Sequence, residues 1–153
     1  MDVYLLLKWV HVLAAIVGVG SSLTYSAWLR LGGHDQSNTN FALRGIQYLD
    51  GRIANPAYVV LIVTGLLMVW VNRLPLLTSW IILPIVLLVV VIVVAVLALE
   101  PAFQRQVKLA DSPAFDSAEY QSVSRRVAVV GIVMNILIVA ITFLMVVKPA
   151  LWR

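Results

Sequence analysis

The stretch His11-Val-Leu-Ala14-Ala15-Ile-Val-Gly18-Val-Gly20-Ser21-Ser22 decides how this chain is read. It sits inside an apolar run, Val3 to Arg30, that holds one of only two histidines in the sequence; the other is His34. Ala14, Gly18, Ser22 and Ser26 recur at every fourth position, so on a helix they line one face. Small residues in such a row let another backbone, or a flat ligand, come close. His11 precedes Ala14 by three and ends the same face. An ionisable ring on a packing face in or near lipid is a functional candidate by default.

The run is about 28 residues long, or roughly 42 Å as a helix. A bilayer hydrocarbon core is about 30 Å thick, so the helix tilts or projects beyond it. Tyr4 and Trp9 mark one interface, and Tyr25, Trp28 and Arg30 the other. Lys8 can snorkel outward along its own stem.

The rest of the composition agrees. Of 153 residues, 62% are hydrophobic and 12% charged, and the mean hydropathy is +0.99. Soluble domains carry about a quarter charged residues, so this is an integral membrane protein of a single domain. Its net charge of +4 is no nucleic-acid footprint, because the Lys and Arg stand at the ends of apolar runs. The absence of Cys removes thiol redox chemistry and thiolate metal sites. Asp2 in place of a basic leader, with Lys8 and His11 in the apolar segment, argues against a cleaved signal peptide.

Three further spans follow the first, which is taken as 3–30. Gly32-Gly33 breaks the helix, and Ser37-Asn38-Thr39-Asn40 offers caps for the next. Phe41, Leu43, Ile46, Leu49 and Ile53 alternate with Arg44, Gln47, Asp50 and Arg52, predicting an amphipathic interfacial segment over 41–53. It leads into a second span at 56–71, where Pro56 suits a first turn. Asn72-Arg73-Leu74-Pro75 is a tight turn that makes the second and third spans antiparallel neighbours. The third span, 76–99, is apolar on all sides apart from Pro84 and is expected to face lipid. After Glu100-Pro101 comes a polar segment, read as a helical extension, a turn at Ser112-Pro113 and a helical lead into the fourth span, 127–147. The fold class is therefore all-α, a polytopic bundle of four transmembrane helices.

Basic residues orient it. Seven flank the two longer loops (Arg30, Arg44, Arg52, Arg105, Lys108, Arg125, Arg126), and four flank the other side (Lys8, Arg73, Lys148, Arg153). The positive-inside rule then places both termini outside the cytoplasm, which is the periplasm for a bacterial inner membrane.

At the depth of His11, the antiparallel second and fourth helices bring Met68, Met145 and Thr142. One imidazole and two thioethers suit haem iron or cuprous copper. Equally, His11 can lie among headgroups while both Met fill gaps in apolar packing. The Ala14–Gly18–Ser22–Ser26 ridge reads as a slot for a macrocycle beside His11, or as a close helix–helix contact within or between protomers. Glu100 is expected to pair with Arg30, Arg44 or Arg52 at the lipid boundary. Asn135, the deepest strongly polar side chain, reads as interhelical hydrogen-bond glue. Trp9, Trp70, Trp80 and Trp152 form an aromatic belt. No Ser–His–Asp set, paired carboxylates, phosphate loop or HExxH motif is present.

Tyr4-Leu-Leu-Leu-Lys8-Trp-Val-His11-Val-Leu-Ala-Ala15, Asn55-Pro56, Thr64-Gly65-Leu66-Leu67 and Leu99-Glu100-Pro101 together resemble an uncharacterised group of small bacterial four-span membrane proteins. That group is similar to the wider set with CopD-type copper-resistance proteins and the HemJ-type haem-biosynthesis protein. The resemblance covers nearly the whole chain. It implies a four-helix membrane bundle in which His11 binds haem b or copper.

Two functions stand side by side at this level. One is a haem or redox-metal protein for electron transfer or metal and haem handling, with His11 as metal ligand and with Gly18, Ser22, Met68 and Met145 around the cofactor. The other is a cofactor-free structural or accessory bundle that binds a partner protein. In both, the chain contacts the lipid bilayer, binds no nucleic acid and self-associates through Ala14, Gly18, Ser22 and Ser26. A small transporter would want a carboxylate near the midplane, and the sequence has none.

Overall fold

Asp2 opens the first helix by accepting a hydrogen bond from the Tyr4 backbone N–H, satisfying one of the orphan donors of a helix start. The computed structural model describes residues 2–33, 35–73 and 78–149. His34, Pro75, Leu76, Trp152 and Arg153, which entered the sequence reading, lie outside these. Helix α1 is Val3–Gly32, closed by Gly33 at a positive φ of 62°. Helix α2 is Gln36–Leu49, capped by the Asp35 side chain on Asn38 N–H. A π-helical turn, Asp50–Ala54, carries it without a break into α3, Asn55–Val71. Helix α4, Ser79–Val94, passes through a second π turn, Ala95–Leu99, into α5, Glu100–Ala110. Helix α6, Ala118–Val147, starts on the Ser117 cap and ends at Lys148 in the left-handed region.

Among the described residues there are thus four helical rods long and apolar enough to cross a membrane, and no strand. The amphipathic segment is an extension of the second rod, continuous through its π turn. Each π turn inserts one residue into the ladder, and such turns gather at functional sites.

The rods form two hairpins. In the first, α1 packs along α3; in the second, α4 packs along α6. The expected pairing of the second and third spans is corrected here: α3 and α4 do not approach each other among the described residues. The reason is that each has one packing face and has already used it. Ala57 and Thr64 of α3 are buried in its hairpin with α1, and Ser79, Ile81, Pro84 and Val91 of α4 in its hairpin with α6. At the far end of the second hairpin the Ser79 hydroxyl donates to Pro149 O at 3.0 Å. There the Lys148 ammonium lies 4.8 Å from the Trp80 ring centre, a cation–π contact that ties the two helix ends.

The hairpins touch where α1 nears α6 and, at the loop end of the molecule, where α2 lies against α5. Leu43, Ala110 and Phe115 are buried together there, with Leu29, Phe103, Val107 and Tyr120 around them. Gln36 Nε2 donates to Ala110 O and Ser112 O, capping the end of α5 from the other hairpin. Arg44 pairs with Asp111 at 3.2 Å. That pair corrects the expectation for Glu100, which instead accepts from Gln104 Nε2 at 2.8 Å and has no cationic partner among the described residues. Arg44 follows the loop because Asp111 is on the surface facing it, while Glu100 lies beside the π turns.

Candidate functional site

The α1–α3 seam carries nearly all the polar contacts within the apolar rods. Its floor is small: Ala14, Gly18, Ala54 and Ala57 are buried. A Cβ on Gly18 would lie 3.1 Å from the Tyr58 ring, so glycine lets the phenol sit close on α1. The Tyr58 hydroxyl reaches Gly18 O at 3.1 Å and Ser22 Oγ at 2.7 Å. The slot expected beside Gly18 and Ser22 therefore holds a side chain of α3. Ala14 and Gly18 of the ridge are consumed inside one protomer, while Ser26 is exposed.

One turn and more toward the chain terminus, His11 meets α3 at Leu61, Thr64 and Gly65. Its Nδ1 is 2.9 Å from Leu61 O and 3.0 Å from Thr64 Oγ1. Hydrogen counting fixes the tautomer. A carbonyl only accepts. The single Thr64 hydroxyl hydrogen has its shortest contact, 2.7 Å, to Val60 O, with Leu61 O at 3.1 Å. Both neighbours of Nδ1 thus present lone pairs, so Nδ1 carries a hydrogen. In the neutral ring, Nε2 then carries the lone pair, and no described residue hydrogen-bonds to it. Gly65 makes the seat: a Cβ there would be 3.2 Å from His11 Cε1. Thr64 is 6% exposed, whereas His11 is half-buried.

The Nδ1 hydrogen bond to a backbone carbonyl orients the ring and leaves Nε2 as the nitrogen able to accept a proton or ligate. Among the described residues no three His, Cys, Asp or Glu side chains are grouped for a metal ion.

Met68 lies one turn beyond Thr64 on α3 and is half-buried. Met145 is on α6, which approaches α1 but not α3. The structure thus brings His11 to the helix of Met68 and leaves Met145 on a separate one. The sequence reading missed Thr64, Gly65 and Tyr58 as partners. Thr64-Gly65 in an apolar run was the available sign, because a small residue beside a hydroxyl accommodates a ring.

A second polar group sits at the loop end. The Tyr25 hydroxyl donates to Asp50 Oδ1, and Asn55 Nδ2 to Asp50 Oδ2, both at 3.1 Å. Asp50, Asn55, Gln47, Glu100 and Gln104 line a crevice of about 220 Å³ between the first π turn and the start of α5, which a hydrogen bond from Gln47 Nε2 to Gln104 Oε1 spans.

A family model described as a predicted integral membrane protein, DUF2269, matches residues 5–149. No curated protein and no solved structure matches the chain.

Proposed function

The chain belongs to the DUF2269 family of predicted integral membrane proteins, and within that frame we propose that it binds a b-type haem through His11 Nε2. The observation that carries the reading is the Nδ1 clamp. Leu61 O and Thr64 Oγ1 hold the hydrogen on one nitrogen and leave the other as a lone-pair donor. Bound there, the haem supplies one-electron chemistry, and the hydrogen bond at Nδ1 raises the basicity of the ligand nitrogen. Copper, the other metal that suits imidazole and thioether, is favoured less, because it would draw all its ligands from side chains. Met68, on the helix that seats His11, would be the second side chain to hold the group, and its thioether would raise the potential relative to a second imidazole.

The test is a visible spectrum of protein purified in detergent from haem-sufficient cells. We expect a Soret band that His11→Ala loses and His34→Ala keeps. Wild-type protein without that band, or an unchanged band in His11→Ala, overturns the reading. In the first case a cofactor-free bundle that serves a partner protein is what remains.

A further inference from the structure

Within the apolar stretch 127–147 of α6 the polar side chains are Asn135 and Thr142, and one of them has no partner among the described residues. Ser124 Oγ accepts from Gln106 Nε2, and the Thr142 hydroxyl donates to Ile138 O. Asn135 lies near the middle of the apolar stretch 127–147, is half-buried and has no hydrogen bond to any described residue. In water such an amide is solvated. In hydrocarbon it is not, and no lipid tail offers a donor or an acceptor in place of a partner.

The surface around Asn135 is open and low. At 3.6 residues per turn, Ala128, Gly131 and Thr142 share its side of the helix. A Cβ on Gly131 would meet nothing within 4 Å, and Ala128 and Thr142 are exposed. The buried residues of α6, Val127 and Met134, lie on the adjoining side. Another helix can therefore come close at Gly131, one turn from the bare amide.

We infer that this side of α6 docks against α6 of a second copy of the chain, with the two Asn135 amides hydrogen-bonded across a two-fold axis. The amide carries two N–H donors and a carbonyl acceptor, so it is the electrostatic complement of its own copy. A two-fold contact brings a residue near the axis against itself, which satisfies both orphan groups with a single sequence position. The small-residue ridge of α1 does not compete, since Ala14 and Gly18 are buried under α3.

The cysteine-free sequence makes a clean test by oxidative cross-linking of full-length protein in native membranes. Ala128→Cys and Thr142→Cys, on the Asn135 side, are expected to give cross-linked dimers. Val129→Cys and Val133→Cys, on the far side, are expected to give none. In the Ala128→Cys background, Asn135→Leu is expected to weaken association about three- to thirtyfold, the range for an interhelical polar contact in lipid, and Asn135→Gln to retain it. The face comparison stands even where Asn135→Leu fails to fold. Equal cross-linking from all positions, none from Ala128→Cys and Thr142→Cys, or a folded Asn135→Leu that cross-links as well as its parent overturns the inference. So does a cross-linked product that contains only a different protein.

Discussion

The two ring nitrogens of His11 meet different surroundings, and a neighbouring glycine preserves that difference. Gly65→Ala sets two effects against each other. Alanine is the better helix former by about 1 kcal/mol, but its Cβ would press on His11 Cε1 at 3.2 Å and Nδ1 at 3.6 Å. Overpacking of a fitted contact costs about 1–3 kcal/mol, and a shift of the ring also stretches the bonds to Leu61 and Thr64. The expected outcome is lower thermal stability in detergent and weaker haem retention, both measured on one preparation. A Gly65→Ala protein more stable than the parent, with its spectrum intact, would mean that the ring yields freely. His11 was legible in the sequence as an ionisable group in an apolar run. Thr64 was not legible as its partner. Helix spacing shows which residues share a face, while the rotation that turns two faces together depends on packing along the whole seam.

At the scale of the elements, the α1–α3 seam and the lipid-facing flank of α4 should respond oppositely to bulk. Gly18 is covered by the Tyr58 ring, whereas Val90 is 43% exposed. Gly18→Leu is expected to lower stability by about 1–3 kcal/mol, and Val90→Leu to stay within about 0.5 kcal/mol. Paired melting curves in the same detergent decide it, and equal tolerance would mean that α1 does not pack through this face. The rods themselves could be read from apolar length, but not their caps: Asp35 caps the second rod, and the Ser37–Asn40 run expected to do so lies inside α2. The π turns could not, because an inserted residue leaves no periodic mark in segments as uniformly apolar as Ala95–Leu99. Nor could the separation of α3 from α4. A short connection limits how far apart two helix ends can be, but does not oblige their sides to touch. The exposed pair of Arg44 and Asp111 adds little stability alone; the buried Leu43–Ala110–Phe115 cluster beside it does more to hold α2 on α5.

For the whole molecule, the distribution of basic residues predicts an orientation. Seven lie by the two longer loops and four on the opposite side, so a reporter fused after Arg153 is expected to report a periplasmic C-terminus. Alkaline phosphatase activity there, with none from a fusion in the Asp111–Ser117 loop, is the expected pattern. The reverse pattern would put the His11 seat near the cytoplasmic face instead.

The separation of α3 from α4 also has a consequence for biosynthesis. The helix pairings within residues 3–71 are complete before residue 79 is needed, and the 79–147 half touches the first at the α2–α5 junction and where α6 nears α1. The ribosome thus delivers one hairpin and then another. Severed between Arg73 and Thr78 and co-expressed, the two halves should find each other in the membrane and co-purify. The amino-terminal half should keep its His11–Thr64 seat, with the α2–α5 junction serving as the main mortise between two separately made joints.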